Sequence, residues 1–200
     1  MTQPALLTVA LEDMRFGAEP VLGRCELTLQ PQETVAITGP SGIGKSTFLR
    51  IVAGLETRYR GTVSGPATCA MVFQDPLLLP WRSAADNLRL TARIDGEAIE
   101  ASLASVGLGG LGHRFPGQLS LGQQRRLSLA RAFATRPSLL LMDEPFVSLD
   151  PAMAEEMLQL FEALRAAQPV ATLLVTHSMA EAERLADRTL TLGGSPALFL

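Results

Sequence analysis

A chain of 200 residues, 47% hydrophobic and 18% charged, is long enough for one sizeable core and too apolar to be disordered. Its net charge of −3 argues against a general nucleic-acid binder. Met1 to Met14 carries no basic stretch ahead of an apolar core, and no apolar run reaches the ~18–20 residues that span a bilayer. A cytosolic chain is expected, whose membrane business goes through a partner.

The N-terminal part reads as strands. Leu6 to Leu11 and Cys25 to Leu29 alternate roughly, and Thr34 to Thr38 is a short apolar run that feeds a glycine loop. Phe48, Leu49, Val52 and Ala53 give helical spacing over Ser46 to Leu55, and Thr62 to Phe73 reads as further strand. Asp95 is an expected N-cap for a helix with Ile99, Leu103 and Val106 on one stripe, ended by Gly107. Ser120 and Gln123 form a capping box that opens a helix to about Ala134. Leu139 to Met142 is a buried strand. Asp150 and Pro151 start a helix with Met153, Met157, Leu160, Phe161 and Leu164 on one face. Ala171 to Val175 is a second buried strand, Ser178 and Glu181 form another capping box, and Gly193 to Pro196 is a terminal turn.

Strands that are apolar throughout and alternate with helices indicate an α/β fold with a parallel sheet covered on both faces. Pro80 to Arg136 reads as a helical insertion between the glycine-loop half and the later strands. There is no internal repeat. Cys25 and Cys69 match no metal spacing and are expected to be buried small residues. His113 matches nothing and is expected on the surface or in a loop. Gly109 to Pro137 holds five arginines (Arg114, Arg125, Arg126, Arg131 and Arg136) and no acid. That charge suits an anionic ligand such as phosphate, or else a solvated helix face.

Two segments carry chemistry. Gly39, Pro40, Ser41, Gly42, Ile43, Gly44, Lys45, Ser46 and Thr47 fit the P-loop pattern, with an apolar strand before it and a helix after it. Glycines let successive amides curl around one anion, and the helix N-terminus adds positive charge. Lys45 would reach the β- and γ-phosphates, and the Ser46 hydroxyl would ligate Mg2+. The run Leu139 to Pro145 ends in two acids at the C-terminal edge of a strand, where α/β sheets bind ligands. Asp143 would hold Mg2+ through water. Glu144 would orient or deprotonate an attacking water.

In this order the motifs resemble the ATP-binding subunit of ABC transporters, over nearly the whole chain. Gln74 in MVFQDP resembles that family's glutamine loop, and LSLGQQRR from Leu119 to Arg126 resembles its signature motif. Ser148 to Asp150 resembles the D-loop, and His177 the switch histidine. The resemblance implies a P-loop NTPase fold: a mostly parallel core sheet, an N-terminal antiparallel β-subdomain, and a helical subdomain at about 80–136 inserted within a single 1–200 domain. It implies MgATP as ligand and two such subunits, copies of one chain, paired head to tail. Ser120, Gly122 and Gln123 would then reach the partner's nucleotide. Gln74 would sense Mg2+ and link to the membrane subunit, His177 would meet the γ-phosphate and the water, and Phe16 would stack on adenine.

Leu121 departs from the pattern, standing where the family has glycine. It is expected to point away into the helix packing, since Ser120, Gly122, Gln123 and the acid pair are present; the alternative is weakened hydrolysis. Leu77, Leu78, Leu79 and Trp81 supply apolar bulk at the family's transmission surface, or else pack the helical insertion. Their wording resembles the ATPases of nitrate, sulfonate and taurine importers. The resemblance thus implies an importer ATPase at the cytoplasmic face of the cell membrane, partnered by transmembrane permease subunits and a solute-binding protein, and no nucleic acid. No appended C-terminal regulatory domain is expected beyond His177. The rival readings are a soluble ABC ATPase without a permease, a nucleotide-binding regulatory subunit with weak hydrolysis, and a nucleoside kinase, which would need neither the signature helix nor His177.

Overall fold

The computed structural model describes residues 4–66 and 68–200. They divide into two compact units.

The first unit holds the described residues of Met1–Met71 together with Ser138–Glu144 and Val170–Leu200. Its strands are β1 (Leu7–Phe16), β2 (Glu19–Leu22), β3 (Cys25–Leu29), β4 (Thr34–Thr38), β5 (Tyr59–Ser64), β6 (Cys69–Val72), β7 (Leu139–Asp143), β8 (Ala171–Val175), β9 (Arg188–Gly194) and β10 (Ala197–Phe199). They run in the order β3-β1-β2-β10-β9-β4-β8-β7-β6, and β5 pairs with β1. β4 is parallel to both β8 and β9, and β7 is parallel to β8. β1 is antiparallel to β2, β3 and β5. The parallel strands β4, β7 and β8 are buried at every position, as strands covered on both faces must be. β3 alternates buried and exposed, as a strand with one wet face does.

Helix α1 (Lys45–Val52) follows the glycine loop and buries Phe48, Leu49 and Ile51. The Phe48 ring meets Phe199 edge to face at 5.2 Å. The expected strand from Thr62 to Phe73 is two strands, β5 and β6, because Gly65 and Pro66 interrupt the run. Cys25 is buried as expected. Cys69 is exposed, which corrects that expectation: β6 ends the strand order, so its outer side lacks a neighbour. The terminal turn lies between β9 and β10, which pair antiparallel.

The second unit, Val72–Pro137 with Pro145–Pro169, is helical. It contains α2 (Ala84–Ala92), α3 (Glu97–Ser105), α4 (Leu121–Ala134) and α5 (Pro151–Ala167). Asp150 caps α5, its side chain accepting from Met153 N–H at 3.0 Å, with Pro151 in the first turn. The buried face of α5 carries Met157, Phe161 and Leu164, and Phe161 meets Phe133 of α4 edge to face at 6.3 Å. α3 departs from expectation at its start. Its N-cap is Gly96, and the Asp95 carboxylate instead accepts from Arg89 Nε at 2.8 Å.

α2 was not legible as a helix because the position that should be apolar is Asn87. That residue is wholly buried. Its Oδ1 accepts from Leu79 N–H at 2.8 Å, and its Nδ2 donates to the carbonyls of Leu79, Arg82 and Ser83. The segment after Gln74 is thus pinned to α2 by one fully satisfied amide.

Candidate nucleotide-binding site

The glycine loop sits between β4 and α1. Gly39 has φ of 142°, and a Cβ there would lie 2.4 Å from the Leu192 carbonyl oxygen, so only glycine fits. Lys45 is the first residue of α1 and only 4% exposed. Its ammonium donates to the carbonyls of Gly39 at 2.9 Å and Pro40 at 3.0 Å, and lies 3.5 Å from Glu144 Oε1. The lysine is therefore curled over its own loop, with a carboxylate beside it.

The next residue, Ser46, donates its hydroxyl to Asp143 Oδ1 at 2.8 Å. Asp143 ends β7 and is buried. Burial pushes its carboxyl above the ordinary range, and the hydrogen bond from Ser46 opposes that. Glu144 follows with φ of +46°, a left-handed conformation that costs a non-glycine residue about 1–3 kcal/mol. Its N–H donates to the Val175 carbonyl at 2.9 Å, so the strained residue is anchored to β8. Its Oε2 lies 3.1 Å from Nδ1 of His177, just beyond the end of β8. The contact is a hydrogen bond when Nδ1 carries the hydrogen, since a carboxylate oxygen accepts.

The C-terminal ends of β4, β7 and β8 thus gather Lys45, Ser46, Asp143, Glu144 and His177. All five belong to the first unit. Such a grouping can bind polyphosphate through amides and an ammonium, hold a hard cation through hydroxyl and carboxylate oxygens, and direct a water through a carboxylate–imidazole pair. Phe16, also in this unit, is at the end of β1 and 43% exposed, as a stacking ring must be. Sequence reasoning missed its companion: the Arg58 guanidinium lies over that ring, 5.2 Å from the centroid, held in turn by Glu56.

The second unit carries Gln74, Ser120, Gly122 and Gln123. Gln74 is exposed just after β6. Ser120 caps α4 through the expected box, its hydroxyl accepting from Gln123 N–H at 3.2 Å while Gln123 Oε1 accepts from Ser120 N–H at 3.0 Å. Leu121 departs from its expectation. It is 53% exposed and is not absorbed into the helix packing, because the first-turn residue that faces α5 is Gly122. A Cβ on Gly122 would lie 2.6 Å from Met153 Sδ. Alanine at Gly122 would gain about 0.8–1 kcal/mol of helix propensity and displace only the flexible end of the Met153 side chain. Leu121→Ala, at an exposed site, should stay within about 0.5 kcal/mol of native. Urea denaturation of Leu121→Ala checks this; a loss above about 1 kcal/mol would refute it.

Of the five arginines, Arg125, Arg126 and Arg131 are engaged within the second unit. Arg125 is buried and donates to the carbonyls of Val147 and Pro145. Arg131 donates to those of Leu77 and Pro76, and Arg126 pairs with Glu156 at 2.7 Å. Three of the five thus hold loops and helices together, which a count of charges cannot reveal. His113 is exposed in a turn. Leu77 and Trp81 are exposed, while Leu78 and Leu79 are partly covered.

The fold and this grouping of side chains define a P-loop nucleoside triphosphatase. The family profile described as ABC transporter matches residues 22–147. The chain is 45% identical over 184 residues to an aliphatic sulfonates import ATP-binding protein of Rhodococcus jostii, covering 89% of this chain and 75% of that protein. It is 44% identical over 196 residues to a protein of the same description from Rhizobium johnstonii, covering 95% and 79%. This chain belongs to the ABC transporter ATP-binding family. Among solved structures it resembles a dimeric ATP-binding cassette in a post-hydrolysis state with ADP and Pi bound, with a TM-score of 0.79, 27% identity and coverage of 92% and 93%. An inward-facing metal-chelate type ABC transporter shares the fold, with a TM-score of 0.85 at 24% identity, covering 98% of this chain and 83% of that one. The chain is an ATP-binding and ATP-hydrolysing subunit that powers a transporter. No helix among the described residues is long and apolar enough to cross a membrane.

Proposed function

We propose that this ATPase drives a solute importer from the cytoplasmic face of the cell membrane, as a single domain whose helical part at about 80–136 is inserted within the nucleotide-binding core. Two copies pair head to tail, and Ser120, Gly122 and Gln123 of each close over the nucleotide held by the other's P-loop. Permease subunits dock at the segment from Gln74 to Asn87. A solute-binding protein delivers the solute, and nucleic acid is no partner. The observation that carries this reading is the convergence of Lys45, Ser46, Asp143, Glu144 and His177 at adjoining strand ends. The exposure of Leu77 and Trp81 supports docking there, since neither is buried by its own chain.

The donor set suits Mg2+. Ser46 and Asp143 present a hydroxyl and a carboxylate 2.8 Å apart, both hard oxygens. When bound, the cation would neutralise phosphate charge. The protein's own residues do the rest. P-loop amides from Gly39 to Thr47 hold the phosphate oxygens, and Lys45 turns its ammonium from the loop carbonyls to the β- and γ-phosphates. Phe16 supports the base. Glu144 orients the attacking water and draws its proton, while His177, hydrogen-bonded to Glu144, contacts the γ-phosphate.

Co-expression with permease subunits of the aliphatic sulfonate importer class tests the proposal. The complex in liposomes should hydrolyse ATP faster when binding protein and an aliphatic sulfonate are added, and isotope-labelled sulfonate should accumulate inside in an ATP-dependent way. A chain that never co-purifies with a membrane subunit would overturn it. The exposed Leu121 favours one second reading, a regulatory subunit with weak hydrolysis. Tight ATP binding without turnover, even in the complex, would select that reading.

A further inference from the structure

His177 stands on a turn between β8 and helix α6 (Met179–Leu185), and that turn is closed by a ring of side-chain hydrogen bonds. The Thr176 hydroxyl donates to Glu181 Oε2 at 2.5 Å and accepts from Ser178 N–H at 3.0 Å. The Ser178 hydroxyl accepts from Glu181 N–H at 3.3 Å. The ring therefore passes from Thr176 to Ser178 to Glu181 and back to Thr176, spanning His177. The sequence suggests an ordinary capping box, in which the Glu181 carboxylate would reach back to the Ser178 amide. In the structure that amide goes to Thr176, and the carboxylate is spent on the Thr176 hydroxyl instead.

Thr176 is 1% exposed, so its hydroxyl has no water to fall back on. Its own N–H donates to the Ile37 carbonyl at 3.2 Å, on the strand that leads into the P-loop. Glu144, whose N–H is held by Val175, meets the imidazole from the other side. Both backbone neighbours of His177 are thus fixed, one to the P-loop strand and one through Glu181. The imidazole itself is half exposed, with Glu144 as its hydrogen-bond partner among the described residues. What orients it is its backbone, and what fixes that backbone is the ring.

We propose that Glu181, acting through Thr176, is a positioning residue that holds His177 in register with Glu144 for ATP hydrolysis. The inference rests on the reading of Glu144 and His177 given above, and it extends that reading to residues that touch neither nucleotide nor water. A carboxylate and a hydroxyl inside the fold hold the backbone of an exposed imidazole, so displacement of that ring acts on the rate of the chemical step. A misplacement of about 1 Å can cost roughly 100-fold in rate.

Two measurements on the purified ATPase test this. Glu181→Ala and the near-isosteric Thr176→Val should each lower kcat by roughly 10–100-fold while KM for ATP moves by no more than about twofold. Glu181→Gln, whose amide oxygen still accepts from Thr176, should recover most of kcat. In a His177→Ala background Glu181→Ala should cost nothing further, because the residue it positions is gone. An equal loss in both backgrounds, or full kcat in Thr176→Val, overturns the proposal. The second measurement needs no activity. The sequence has two histidines, His113 and His177. In imidazole nitrogen NMR spectra, Glu181→Ala should shift or broaden the His177 resonances and leave those of His113 in place. Unmoved His177 resonances also overturn it. If His177→Ala itself leaves kcat intact, the assignment of His177 fails, and the NMR result still decides whether Glu181 positions it.

Discussion

Glu144→Gln is expected to bind ATP as tightly as the native protein and to lose roughly 10²–10⁴ in turnover, the usual contribution of a general base. The substitution is nearly isosteric. The amide oxygen can still accept from His177 Nδ1, so the 3.1 Å contact survives. The positive φ of Glu144 is tolerated as before, because the anchor to Val175 is made by the main chain. What disappears is the negative charge beside Lys45 and the capacity to take a proton from water. The Lys45 contact is 3.5 Å and replaceable by phosphate, so the loss falls on chemistry rather than on affinity. Isothermal titration with ATP and a phosphate-release assay separate the two quantities. Turnover within twofold of native would remove Glu144 from the mechanism.

Lys45→Met is expected to act the other way, on affinity. Methionine keeps the aliphatic stem of a side chain that is only 4% exposed, so the packing around α1 is retained. It removes the ammonium that donates to the Gly39 and Pro40 carbonyls. Each carbonyl faces the loop, where water can replace a neutral acceptor's partner at about 1 kcal/mol. A phosphate oxygen cannot be compensated so cheaply. A hydrogen bond to a charged group is worth about 1.5–3 kcal/mol, so ATP affinity should fall by roughly 10–150-fold. The melting temperature should move only slightly. Fluorescent-nucleotide titration beside a thermal melt gives both numbers. A large fall in melting temperature with unchanged affinity would assign Lys45 to the loop's stability alone.

These two residues were legible before any coordinates, and the reason is local. A P-loop needs glycine where a Cβ would strike backbone, as Gly39 does against Leu192, and a lysine at the first turn of the following helix. An apolar strand ending in acids is equally local, and β7 ends at Asp143 as read. The capping box at Ser120 was also readable, because both of its hydrogen bonds span three residues.

Other features depend on partners far away in the chain. Leu121 and Gly122 are adjacent in sequence, yet one is exposed and the other packs against Met153; only the rotation of α4 against α5 decides which. The arginines look like one charged patch, and separate carbonyls from Pro76 to Val147 claim Arg125 and Arg131 individually. Asn87 hides α2 because its amide serves a loop rather than the helix.

By itself, then, the sequence determined the nucleotide loop, the acid pair, the apolar parallel strands and the family, since each rests on residue types at fixed short spacing. The tertiary structure decided which side chains share a site. It brought His177 to Glu144 across a separation of 33 positions, laid Arg58 over Phe16, and turned Glu181 from a helix cap into a partner of Thr176. Strand order and helix rotation set those distances, and neither is written in any local run of residues.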